Sequence, residues 1–244
     1  MMTTGTILAA GVMAGATALD RVHLLQWLIA RPIFSAPLIG YLLGDLPGGL
    51  LIGTWIELLW ISVLPIGNFT PPDSHAVAVC AVALFAPWHG PAPGAVTVSS
   101  ATGVLAVAAA IPLGILSRNC DIGIRRRLAE KMEALMQEPP PYRFGPPLFL
   151  ALSSAFLKAF LLVVASAVVA VSVRPIVRAV VSIGGIRHGL EMAATWIPAL
   201  GLVQLARCYC GRSRKAPFFI GAGLAAAVLI IFFLRRCVVG VPVP

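Results

Sequence analysis

RPIFSAPLIGYLLGDLPGGLLIGTWIELLWISVLPIGNFTPPD, residues 31–73, sets Asp45, Glu57 and Asp73 among apolar residues and glycines. A charge exposed at mid-bilayer costs about 2.5 kcal/mol or more, so an acid in a membrane segment must face protein or a wet cavity. The stretch therefore points to a membrane fold and to a candidate site together. Gly49, Gly53 and Glu57 recur every four residues and stack on one helix face, a pattern that permits close helix contact beneath a carboxylate. Two readings of Glu57 stay open: a ligand-facing acid that bonds sugar hydroxyls or a partner's cation, and a structural acid tied to an arginine such as Arg31. Asp45, inside GDLPGG at 44–49, reads as a turn residue that caps the following helix. In PIGNFTPPD at 65–73, three prolines and a glycine forbid a straight helix, so a loop dipping into the membrane is expected. Asn68 and Asp73 would bring it the donors and acceptors that hydroxyl-rich ligands need.

The composition around this stretch agrees. Of 244 residues, 59% are hydrophobic and 11% charged, with a mean hydropathy of +0.95, far from the roughly 25% charged mix of soluble domains. Apolar runs at 5–19, 22–43, 48–66, 92–116, 147–173, 189–206 and 216–234 predict an all-α polytopic integral membrane protein, several runs reaching the roughly 20 residues that cross hydrocarbon. The net charge of +9 is not a nucleic-acid footprint, because the basic residues sit in loops between apolar runs. Arg118, Arg125, Arg126, Arg127, Lys131 and Arg143 occupy one such loop, and Arg207, Arg212, Arg214 and Lys215 another. The positive-inside rule makes both cytoplasmic, with two crossings between them. Arg235 and Arg236 then require either a re-entrant helix at 216–234 or an exception to the rule.

MMTTG lacks a basic n-region and the first apolar run ends in Asp20 and Arg21, so no cleavable signal peptide is expected. Cys80, Cys120, Cys208, Cys210 and Cys237 form an odd, scattered set, several in or beside cytoplasmic loops, and no disulfide is expected. Cys208 and Cys210 lack the further ligands that would make a zinc site and read as small loop residues.

The chain reads as one membrane domain, 1–244, of two halves: 1–116, a cytoplasmic linker at 117–146, and 147–244. Within the linker, IRRRLAEKMEALMQ has helical periodicity with Leu128, Met132 and Leu135 on one face. It is expected to lie along the membrane surface as a solvated helix, a docking helix for a soluble partner being the alternative. Each half carries a short or Gly/Pro-broken apolar segment, 74–88 and 178–192, and such corresponding segments suggest inverted repeats around a midplane site. Asp20, His23 and Gln26 share a helical face beside Trp27; Trp27 reads as an interfacial belt residue and Gln26 as a site residue. Lys158, near the middle of the 147–173 run, is expected to pair with a carboxylate in a structural role. His23, His75, His89 and His188 have no companions at metal-ligand spacing, and no nucleophile–base arrangement or phosphate-binding glycine loop is evident. No catalytic residue, metal or cofactor is expected.

Leu19-Asp20, Gln26, Arg31-Pro32, PLIGYLLGDLPGGLLIGTWIELLWISVLPIG and PPD, in that order, with GGIRHGLEMAATWIPALGLVQL and APFFIGAGLAAAV further on, resemble the membrane IIC component of mannose/fructose/sorbose-family phosphotransferase-system (PTS) permeases. The resemblance covers nearly the whole chain. It implies inverted repeats with re-entrant hairpins and a multi-pass subunit of the bacterial inner membrane. It also implies a IID membrane partner, assembly as a trimer of heterodimers, and a sugar substrate phosphorylated by IIB, which IIA recharges. The IIC chain itself holds no phosphorylated residue. Gln26, Glu57 and Asp73 are carried over as site lining, and Asn68 joins them from the reading of the 65–73 loop; where the family usually has small residues after IG, this chain places Asn68 and Phe69, which makes that loop bulkier. That departure, with the basic linker, leaves a second reading: a non-transporting membrane sensor or scaffold derived from such a permease.

Overall fold

The computed structural model describes residues 3–21, 24, 26–63, 70–89, 100–137 and 144–209, with Phe219 and Gly223. Those residues form seven helices: α1 (Thr4–Asp20), α2 (Pro32–Leu42), α3 (Leu46–Trp60), α4 (Ser74–His89), α5 (Ser100–Met136), α6 (Gly145–Ser182) and α7 (Gly184–Tyr209). Local chemistry sets most of their ends. Thr3 caps α1 in a reciprocal pair with Thr6. Pro32 opens α2, where its missing N–H costs no intrahelical bond.

α2 and α3 form a tight hairpin. Gly44 takes φ +80° in the turn, a conformation open to glycine at little cost. Asp45 caps α3 by accepting from Gly48 N at 2.9 Å, as the turn chemistry predicts. The glycine face of α3 then lies on α2: a Cβ on Gly49 would sit 2.7 Å from Ala36 O, and one on Gly53 2.6 Å from Pro32 O. These approaches are possible only without side chains. Eleven residues make α2 about 16 Å long, half of a roughly 30 Å hydrocarbon layer.

α4 is the centre of the molecule. Every residue from His75 to Phe85 is buried, and a helix apolar on all sides belongs in a core. It packs on α2, α3, α5 and α6. α1 lies along α6, where Gly11 and Gly15 receive Phe160 and Phe156, and Ala151, Ala155, Ala159, Val163 and Ala167 give α6 a buried stripe at four-residue spacing. α5, α6 and α7 are long and apolar enough to cross a membrane.

Two features differ from the sequence expectation. The polar segment beginning at 117 is not a separate surface helix: α5 runs through residue 116 to Met136 without a break. Hydropathy records where the surroundings change, whereas a backbone ends only where capping or proline chemistry stops it, and none intervenes before Pro139. The 74–88 segment is short but unbroken, with Pro87 in the last turn of α4. The break in 178–192 is a single extended residue, Ile183, between α6 and α7.

Candidate functional site

Seven charged side chains from α1, α3, α5, α6 and the segments between helices form two networks, one around Glu57 and one around Asp73. The first begins at Asp20, whose carboxylate accepts from Trp27 N at 2.7 Å and Ala30 N at 3.3 Å. Those bonds hold a turn in which Gln26 and Leu28 adopt φ +53° and +68°, costly for residues with a Cβ and sustained only by such constraint. Gln26 is exposed on that turn. The turn delivers Arg31 to the last part of α3, where its Nη1 lies 3.1 Å from Glu57 Oε1. The structural pairing considered for Glu57 is therefore present, but it occupies one oxygen. Oε2 is buried and has no hydrogen-bond partner among the described residues, and a buried acceptor left unpaired costs about 1–3 kcal/mol.

The second network surrounds Asp73, whose side chain is 4% exposed. Its Oδ1 accepts from Ala76 N at 3.2 Å, which satisfies the start of α4. Its Oδ2 takes Arg21 Nη1 at 2.6 Å and the Ser117 hydroxyl at 2.7 Å. Lys158 reaches across from α6 to hydrogen-bond Asp121, with Asp73 3.6 Å away; its expected carboxylate partner thus stands on α5, one helical turn after Ser117. His75 and Thr17 share a hydrogen bond of 2.9 Å below the charges. Arg21, Asp73, Asp121 and Lys158 line a cavity of about 60 Å³.

Glu57 and Asp73 thus belong to different networks, and Asn68, the fourth residue expected at the site, lies outside the described residues together with Phe69. The sequence reading missed Arg21, Ser117 and Asp121 as Asp73's companions. The i,i+4 spacing of Ser117 and Asp121, opposite a lone mid-span Lys158, was the signal available. Among the described residues no group of three or more His, Cys, Asp or Glu is arranged to hold a metal. The chemistry on offer is hydrogen bonding and charge pairing.

The family described as "PTS system sorbose-specific iic component" matches residues 4–243. A 65-residue stretch is 37% identical to the putative N-acetylgalactosamine permease IIC component 2 of Escherichia coli (strain K12), covering 27% of this chain and 48% of that protein. The match therefore spans about half of the relative's length. Among solved structures, one described only as a membrane protein aligns over 99% of this chain and 98% of its own with a TM-score of 0.68 and 20% identity. A chain of the mannose transporter ManYZ in complex with microcin E492 aligns over 96% of both with a TM-score of 0.54 and 19% identity. At these identities the structures attest the fold, while the family match extends over nearly every residue. This membrane protein belongs to the PTS sorbose-specific IIC component family.

Proposed function

We propose that the chain is the permease subunit of a mannose/sorbose-type phosphotransferase system, binding a sugar and moving it inward for phosphorylation by a partner IIB protein. Family membership supplies the class, and the printed names of its relatives, an N-acetylgalactosamine permease component and a mannose transporter, favour a hexose or amino sugar. The observation that carries the site is Glu57: Arg31 fixes one carboxylate oxygen while the other is buried without a donor among the described residues. A sugar hydroxyl is the donor that position wants, since a carboxylate accepts and a hydroxyl gives. Gln26, on the strained turn that leads to Arg31, adds an amide to the same ligand, and Asn68 is assigned to it on the sequence alone.

The short α2–α3 hairpin acts as a re-entrant element, entering and returning on one side. α5, α6 and α7 cross the membrane, with the basic end of α5 and Arg207 both cytoplasmic. This chain, its two halves related as inverted repeats, pairs with a IID partner, three such pairs making the complex in the inner membrane, and IIA recharges IIB. The Asp73 network holds the bundle together and does not touch the sugar. Vesicles containing the chain and its IID partner should take up and phosphorylate a hexose or amino sugar only when phosphorylated IIB is supplied. Uptake that proceeds without IIB, or sugar binding with no uptake under any supply of IIB, would refute the reading.

A further inference from the structure

We infer that the cavity between α1, α4, α5 and α6 is a small-oxyanion site that takes orthophosphate or the phosphoryl group of a phosphomonoester. Three cations line it, Arg21, Arg125 and Lys158, against two carboxylates, Asp73 and Asp121, so the lining carries one positive charge in excess. The carboxylates' acceptor capacity is largely used: Asp73 already bonds Ala76 N, Ser117 and Arg21. Donors are in surplus. Lys158 gives a hydrogen bond to Asp121 and stands 3.6 Å from Asp73, beyond hydrogen-bond reach, which leaves part of its three-donor head unused. Arg125 forms no ion pair with a carboxylate among the described residues and is exposed at the cavity's edge, on the basic stretch of α5. Ser154 also lines the space, with its hydroxyl donating to Ala151 O at 3.0 Å.

Water could fill the volume but not neutralise the excess charge. At roughly 10–15 Å³ per water, about 60 Å³ admits roughly four to six water-sized atoms, the size of a tetrahedral oxyanion and too little for a hexose ring. The site is therefore distinct from the one around Glu57. Guanidinium and ammonium groups on a partly enclosed oxyanion make the stronger, charge-assisted class of hydrogen bond. The identity of a physiological ligand rests on the proposed transport function: there the sugar becomes a phosphomonoester on the side where α5 presents its arginines. Binding of orthophosphate requires neither sugar nor IIB, so the two readings fail separately.

The test is equilibrium binding of radiolabelled orthophosphate to the full chain in phosphatidylcholine nanodiscs, with chloride at matched ionic strength as competitor. Saturable binding that chloride does not displace is expected. Arg125→Gln, an exposed change that leaves the Asp73 network whole, should weaken it about tenfold, the loss of one charge-assisted hydrogen bond. Arg126→Gln, its exposed neighbour outside the cavity, should leave it unchanged. Glycerol phosphate displacing the label identifies a soluble phosphomonoester. Phosphatidic acid in the disc displacing it, with Arg125→Gln weakening that competition, assigns the same pocket to a lipid headgroup. The proposal is overturned if chloride competes as well as phosphate does, or if Arg126→Gln weakens binding as much as Arg125→Gln, which would reduce the effect to diffuse positive charge.

Discussion

The Asp73 and Glu57 networks are built from the same materials, an acid near a helix end and a basic partner distant in sequence, yet they are in opposite states. Asp73 is enclosed and bonded by a backbone amide, a hydroxyl and a guanidinium, with Lys158 3.6 Å away. Glu57 has a 20% exposed side chain, an arginine that is itself 51% exposed, and an idle oxygen. A saturated buried acid belongs to the structure, because it has nothing left to offer a ligand. The oxygen of Glu57 left unmet among the described residues is what the proposed sugar site uses. The sequence left two readings open for Glu57 and offered Asp73 as a site residue, and the bonds made by each acid set the two apart.

The comparison can be broken most easily at its strong end. Asp73→Ala takes the buried acceptor from Arg21 and Ser117 and leaves Asp121 alone to balance Arg21 and Lys158 among the described residues, and removing one member of a buried ion network costs about 3–5 kcal/mol. Denaturant unfolding in micelles should show that loss; a drop below about 1 kcal/mol would mean that the network is hydrated and structurally idle. Next in size is Gly49→Val, which forces side-chain atoms against Ala36 O and Pro37. Overpacking of this kind costs about 1–3 kcal/mol, and the same unfolding measurement checks it, with unchanged stability meaning that α2 and α3 are free to separate. Asp45→Ala removes the cap on Gly48 N and should cost about 1 kcal/mol, as helix N-caps do. The smallest stability effect is expected for Glu57→Gln, at most about 1 kcal/mol for so exposed an ion pair. Its sugar uptake with IIB should nevertheless fall about tenfold or more, the loss of a charge-assisted bond to a hydroxyl. If Glu57→Gln instead destabilises the protein as much as Asp73→Ala does, the distinction between the two acids collapses.

Local chemistry was readable wherever a few neighbouring residues decide the outcome. The cap at Asp45, the turn at Gly44 and the close glycine face of α3 follow from short-range rules, and the structure has each of them. Lys158's need for a carboxylate was also readable, because an ammonium in an apolar run has few alternatives. The passage of α5 through its polar segment was not, since the hydropathy change at 117 mimics a helix end. Nor were Arg21, Ser117 and Asp121 recognisable as a set, because they are unremarkable residues, one just after α1 and two within α5, until α1, α5 and α6 are placed side by side. The loop with Asn68 and Phe69 was singled out from its prolines and lies outside the described residues.

By itself the sequence determined that this chain is a helical membrane protein of the IIC family, because hydropathy, turn chemistry and an ordered set of motifs act through neighbours along the chain. Only the tertiary structure decided which acid is sealed and which is left with an open oxygen. Bond saturation depends on groups brought together from Arg21 to Lys158 and from Arg31 to Glu57, and no local rule encodes which distant donor reaches which carboxylate.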